Sequence, residues 1–292
     1  MDLFSIYDLT VESCVSIPEV ARVRPDPGAT TEPDITIRCE SVETNRDGPD
    51  RLEVSVDDRV VSLSVPEVGW FEIRDGTTIT VDSVTELSDQ QVRAVLTGPA
   101  LGYLLYQRGL LVLHGSAVAR DGAGYLFLGT KGAGKSTTAG TLARQGYAVL
   151  SDDVTVIDVR DGALRLLPGR PHLKLADDRF AFEVFPSTAS LEMTKQYYRV
   201  PEPAPRAPER IGAVFLLERG SELAVEELPP SAAVWGVLEQ LYVRQFSDEL
   251  NSERCFEQAT ALVDRTSIRR LVRPDDTDAL SEIPSLITDV DS

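Results

Sequence analysis

Apolar and polar residues alternate with period two through much of the first eighty positions, as they do along strands with one buried face. The runs "ITIRC" (35–39), "LEVSV" (52–56), "RVVSLSV" (59–65), "WFEIR" (70–74) and "TTITV" (77–81) all follow this pattern. Asp57-Asp58 separates the second run from the third. Asp75-Gly76, tolerant of positive φ, separates the last two, so two hairpins in a small antiparallel sheet are expected. Residues 24–34 read as a loop. From Ser88, a candidate N-cap, the period changes: Val92, Val95, Leu96, Leu101, Leu104 and Leu105 fall near one helical face that ends at Gly109. Gly98-Pro99 should kink or split that helix.

Continuous apolar runs then replace alternation. "LLVLHGSAVA" and "GYLFLG" flank Asp121-Gly122 as adjacent strands would, and "YAVLSDDVTVIDV" is another buried strand region. Between them lies a helix over 136–145, capped by Gly146. Further on, "PEPAPRAPER" (201–210) reads as an exposed connection and "IGAVFLLE" (211–218) as a buried strand. Helices near 231–246 and 252–265 and a strand-like "SIRRLV" follow. The chain thus divides into a β-rich region 1–87, a connecting helical segment 88–109, an α/β domain 110–275 and an acidic tail 276–292. Trp70 and Trp235 are expected in the core.

The 292 residues carry 47 acidic against 29 basic side chains, a net charge of −18 that opposes binding to nucleic acid or to anionic membrane surfaces. Acidity combined with only four lysines resembles the surfaces of halophilic proteins. Cys14, Cys39 and Cys255, odd in number and far apart, are expected as buried free thiols rather than a disulfide or zinc site. No apolar run approaches a membrane span and the first residues lack signal-peptide character, so the expected compartment is the cytoplasm.

Two of the four lysines fall in "GYLFLGTKGAGKSTTAG". Gly129, Gly134, Lys135 and Ser136 match G-x-x-x-x-G-K-[ST], with Thr130, Lys131, Gly132 and Ala133 in the variable places. Placed after a strand and opening a helix, such a turn converges backbone N–H groups on phosphate, and the helix dipole favours the anion. Lys135 offers a compact ammonium to the β and γ phosphates, Ser136 a hydroxyl to Mg²⁺, and Thr137 a cap or an α-phosphate contact. ATP and Mg²⁺ are the implied cofactors. Asp152 lies seventeen residues after Lys135, at the expected end of the next strand, with Asp153 beside it. Adjacent residues of an extended strand face opposite sides, so the pair should divide its work between binding Mg²⁺ and taking the proton of an acceptor hydroxyl.

The segments "LLVLHGSAVA", "GYLFLGTKGAGKST", "GYAVLSDDVTVID" and "LPGRPHLKL" resemble the kinase domain of the HPr kinase/phosphorylase family, and more closely its shorter HPr-kinase-like relatives. The resemblance implies an α/β P-loop kinase core of the HPr kinase C-terminal, phosphoenolpyruvate-carboxykinase-like type, with a β-rich N-terminal region. It implies transfer of the ATP γ-phosphate to a hydroxyl, a serine of a protein, peptide or small molecule. On matching positions it implies that Lys135 and Ser136 hold phosphates and magnesium, that His114 lies near the phosphates, and that Asp152 and Asp153 supply acid/base and metal chemistry. We expect Asp152 as the base and Asp153 as the metal partner. Arg170, Lys174 and Lys195 are candidate phosphate or substrate contacts, whereas Arg269, Arg270 and Arg273 are expected to pair internally. The family's glutamate-bearing signature is not visible after "GRPHLKLADDRF", so kinase chemistry is implied without reverse phosphorolysis. The expected partners are a nucleotide and a hydroxyl-bearing acceptor; a homo-oligomer is compatible with the sequence. Alternatives are a P-loop NTPase or nucleotide-operated switch with water as acceptor, and a non-catalytic nucleotide sensor.

Overall fold

The computed structural model describes every residue except 19, 21, 24–31, 43–51, 58, 87–89, 177–179, 181, 183, 190–194, 201–206, 246–251, 275–278, 291 and 292. Most of the expected loop at 24–34, the Ser88 cap and most of the connection at 201–210 lie outside the described residues.

The N-terminal strands are β1 (Asp2–Ile6), β2 (Leu9–Ser13), β3 (Ile35–Cys39), β4 (Glu53–Asp57), β5 (Val60–Val65), β6 (Gly69–Arg74) and β7 (Thr78–Ser83). They form one sheet in the order β1-β2-β3-β7-β6-β5-β4. Both expected hairpins are present, β4 with β5 and β6 with β7. Asp75 and Gly76 take φ of 56° and 65°, the pair of left-handed residues that a twisted two-residue turn needs. Alternation delivers Val61, Leu63, Phe71, Ile73, Ile79 and Val81 to the core. The sheet is nevertheless larger than expected, and mixed. β1 and β2 add an outer hairpin, and β3 runs parallel to both β2 and β7.

That parallel neighbourhood corrects the cysteine expectation. Cys14 follows β2 and Cys39 ends β3, so their Cα atoms lie 6.0 Å apart and the two are joined in a disulfide. Sequence separation hides this because the pairing depends on a strand, β2, that the hydrophobic pattern did not reveal. Cys255 is free and buried, as expected.

The connecting segment comprises α1 (Gln90–Val95), a π-helical turn (Leu96–Ala100) and α2 (Leu101–Gln107). Pro99 has no N–H to donate, and the helix widens around it instead of breaking. Next come β8 (Leu111–Arg120), β9 (Ala123–Leu128), α3 (Lys135–Arg144), β10 (Ala148–Asp158) and β11 (Arg165–Leu167). A separate three-stranded sheet, ordered β12-β14-β13, is made of β12 (His172–Leu175), β13 (Val184–Ala189) and β14 (Gln196–Arg199). The chain continues through β15 (Arg210–Arg219), β16 (Ala224–Glu227), α4 (Pro230–Leu238), α5 (Ser252–Arg265), β17 (Ser267–Arg273) and α6 (Ile283–Val290).

The central sheet has the order β11-β10-β8-β9-β15-β17-β16, with β9, β15 and β17 mutually parallel. Its apolar runs are continuous because both faces are covered. Tyr125 and Phe127 of β9 share a cluster with Leu142 of α3 and Ile283 of α6, whereas Leu126 and Leu128 share another with Val237 of α4 and Leu262 of α5. Two expectations change here. Residues 279–290 of the supposed acidic tail include α6, which buries Ile283 and Ile287 against the sheet. Trp235 is 64% exposed, because α4 turns Ala233 and Val237 inward and Trp235 outward.

Candidate active site

β9 ends at Leu128, and the glycine-rich turn leads directly into α3. Gly134, at the N-cap of α3, has φ of 99°, and a Cβ there would also strike the Arg273 guanidinium. Backbone conformation and close approach therefore both call for glycine. Lys135 is buried, and its Nζ donates to Gly129 O at 2.7 Å and Thr130 O at 3.2 Å, stitching the turn closed. Outside it, Arg219 donates twice to Gly132 O, at 3.0 and 2.7 Å. Arg273 is buried and bonds internally, donating to Gly134 O at 3.3 Å and to Pro274 O at 3.1 Å. Arg269 and Arg270 do pair with carboxylates, those of Glu227, Glu218 and Glu226.

The aspartates stand opposite. β8 runs antiparallel between β9 and β10, so Asp153, Gly115 and Leu128 form one row across three strands. That row brings the aspartates level with the point where the glycine turn begins. They are mid-strand rather than at a strand end, because β8 and β10 extend past β9 into the N-terminal cluster through Val112, Val154 and Val156. Nor do they face opposite sides. Asp153 adopts a left-handed φ of 74°, which breaks strict alternation at that residue, and both carboxylates line one cleft.

Their surroundings differ. Asp152 is buried; its Oδ1 accepts from the hydroxyls of Ser116 and of Ser136, the latter at 3.0 Å, and its Oδ2 accepts from the Lys174 N–H at 2.7 Å. Burial pushes its carboxyl above the ordinary range despite these bonds. Burial opposes ionisation of Asp153 too, but there the His114 hydrogen bond and the charges of Lys174, His114 and Arg170 win and hold it well below that range. His114 Nδ1 lies 3.2 Å from Asp153 O and 3.3 Å from Asp153 Oδ1. Both oxygens accept, so this nitrogen carries the proton. Lys174 Nζ is 3.4 Å from Asp153 Oδ2.

β10, the strand that carries the two aspartates, is propped from behind by a residue the sequence reading missed. Tyr7, in the β1–β2 turn, donates its hydroxyl to Val154 O at 3.1 Å and its N–H to Pro168 O at 2.8 Å. Asp8 beside it pairs with Arg165 of β11 at 2.8 Å. Burial raises the Tyr7 phenol well above its ordinary pKa, so it remains a donor.

Together these elements enclose a cleft of about 980 Å³. Its lining includes His114, Thr130, Lys131, Gly132, Gly134, Lys135, Ser136, Thr137, Asp152, Asp153 and Lys195, and so unites most of the residues singled out from sequence. Gly129 and Ala133 instead line an adjoining recess of about 700 Å³ beside Trp235. Arg170 does not line the cleft. It is buried with its guanidinium 4.9 Å from the ring centre of Tyr197, which does line the cleft, and its charge helps lower the Asp153 carboxyl. Among the described residues no cluster of three or more His, Cys, Asp or Glu side chains could cage a metal ion, and no helix is long and apolar enough to cross a membrane.

No family model matches the chain. A curated relative, the HPr kinase/phosphorylase of Chlorobium phaeovibrioides, is 30% identical over 129 residues, 44% of this chain. The chain spans only 32% of that relative's length. The solved structure of the HPr(Ser) kinase/phosphatase from Coxiella burnetii aligns with 61% of this chain and 94% of that one at 12% identity, but a TM-score of 0.33 is too low to carry an argument. Across the stretch shared with the curated relative, this chain is similar to an HPr kinase/phosphorylase, the resemblance that its glycine turn and paired aspartates suggest.

Proposed function

We propose that the chain is an ATP- and Mg²⁺-dependent kinase that transfers the γ-phosphate to a hydroxyl, a serine of a protein, peptide or small molecule. The observation that carries this reading is the meeting of Lys135, Ser136, Asp152 and Asp153 in one cleft, with Ser136 bonded directly to Asp152. The residues fit a magnesium ion. A hydroxyl and a carboxylate are hard oxygen donors, and the lack of a three-residue cage among the described residues suits an ion that keeps waters and phosphate oxygens as its remaining ligands. When bound, the ion would neutralise charge on the terminal phosphates.

The geometry favours exchanging the roles expected for the two aspartates. On this reading Asp152, which shares its Oδ1 with Ser136, would hold the metal. Asp153, held ionised by His114 and Lys174, would orient the acceptor hydroxyl and receive its proton. Backbone N–H groups at the start of α3 and the Lys135 ammonium hold the donor, so the rate advantage comes from positioning and fixed charge. Incubation with γ-labelled ATP tests the reading. Label on a hydroxyl, lost in Lys135→Ala, supports it. Label released only as inorganic phosphate whatever alcohol is offered would favour an NTPase or switch.

A further inference from the structure

The chain has four lysines and fills its remaining basic positions with arginine; Lys131, Lys135, Lys174 and Lys195 all line the one cleft. In a protein of net charge −18, this is where compact cationic heads concentrate. Lys131 and Lys135 belong to the glycine turn and serve the donor. Lys174 lies in β12 of the separate three-stranded sheet, and Lys195 immediately precedes β14. Lys174 pairs across the sheet with Tyr197, and Lys195 stands two residues before Tyr197. All three side chains line the same cleft. Lys174 also reaches Asp153, so this face lies on the acceptor side of the cleft.

We propose that the Lys174–Lys195 face is an anion subsite, and that the alcohol phosphorylated here carries a carboxylate or phosphate ester of its own within a few bonds of its hydroxyl. The proposal rests on the kinase reading. Transfer forms a bond from the acceptor oxygen to the γ phosphorus, breaks the bond from that phosphorus to the β,γ-bridging oxygen, passes the hydroxyl proton to Asp153 and leaves ADP. The subsite anion takes no part in bond changes. It fixes the hydroxyl against Asp153.

Glycerate, glycerol 3-phosphate and glycerol present related alcohols bearing a carboxylate, a phosphate ester and no charge. Each is titrated calorimetrically into protein saturated with Mg²⁺ and a non-hydrolysable ATP analogue. At least one anion should bind about tenfold or more tightly than glycerol, the factor that one charge-assisted hydrogen bond supplies. Lys195→Gln should erase the preference, and Lys195→Arg should keep most of it. Which anion is preferred identifies the source of the charge. Equal binding of all three, or a preference that survives Lys195→Gln, overturns the proposal. So does a Lys195→Gln protein that loses the ATP analogue as much as the anion, since the lysine would then serve the donor. Failure of the analogue to bind at all would instead strike the kinase reading. In that event the same titration on Lys135→Ala protein still reads the lysine face, with the same supporting and overturning results.

Discussion

Asparagine substituted at Asp152 and at Asp153 should move stability in different directions, although the two residues are adjacent and both sit deep in the cleft. Asp152 is a buried carboxylate pushed above its ordinary pKa chiefly by desolvation, so the ionised form weighs against the fold at neutral pH. Its amide replacement can turn its oxygen to the Lys174 N–H and its NH₂ to the two serine hydroxyls, which can accept as well as donate. Asp152→Asn should therefore leave unfolding free energy within about 1 kcal/mol of wild type, or raise it. Asp153 is held below its ordinary pKa, so its charge supports the fold. Removing it leaves Lys174, whose side chain is 11% exposed, without the carboxylate 3.4 Å away. A fully buried broken pair costs about 3–5 kcal/mol; with Asp153 at 18% exposure, about 2 kcal/mol is the reasonable expectation for Asp153→Asn. Urea unfolding at pH 7 without magnesium or nucleotide measures both. Equal losses, or a larger loss for Asp152→Asn, would refute the electrostatic assignment.

Tyr7→Phe removes the donor to Val154 O behind β10, the strand of the two aspartates. It should cost about 1–3 kcal/mol of stability and slow transfer more than it weakens nucleotide binding, and an unchanged rate would separate the N-terminal sheet from the chemistry. Burial, aided by the charges of Arg170 and Arg199, pushes His172 from 6.5 down to about 3. The unfolded chain therefore binds a proton that the folded chain excludes, and stability should fall by about 1.4 kcal/mol per pH unit as pH drops from about 6.5 toward 3. Denaturant melts at several pH values should show a shallower slope for His172→Gln, and parallel slopes would contradict the assignment. Reducing the Cys14–Cys39 bond frees a loop spanning 25 residues, for which chain entropy gives about 3.5 kcal/mol. An unchanged unfolding midpoint under reductant would show that the bond does not constrain the unfolded chain.

What the sequence made legible was local. The β4–β5 hairpin, the Asp75-Gly76 turn, the helix disturbed at Pro99 and the glycine turn between β9 and α3 all follow from residue chemistry within a few positions. What it hid was long-range. The Cys14–Cys39 bond depends on β2 and β3 being neighbours, and the support from Tyr7 joins positions 147 residues apart. Alternation placed the two aspartates on opposite sides. One left-handed residue, Asp153, brought them together, and no periodicity rule anticipates it. Trp235 misled because apolar size suggests burial, whereas α4 had Ala233 and Val237 for its inward face. Rare lysine was the best site signal available from composition, since all four mark the cleft.

The central claim is that nucleotide phosphates, a divalent ion and both aspartates share one cleft. Anomalous scattering from crystals grown with Mn²⁺ and a non-hydrolysable ATP analogue tests it most directly. The account predicts a manganese peak in coordination contact with Ser136 Oγ and within direct or one-water reach of Asp152, bridging phosphates seated on the glycine turn, while Asp153 faces open space beyond the γ-phosphate. A peak held by Asp153 and His114, or phosphates bound away from Lys135, would contradict it.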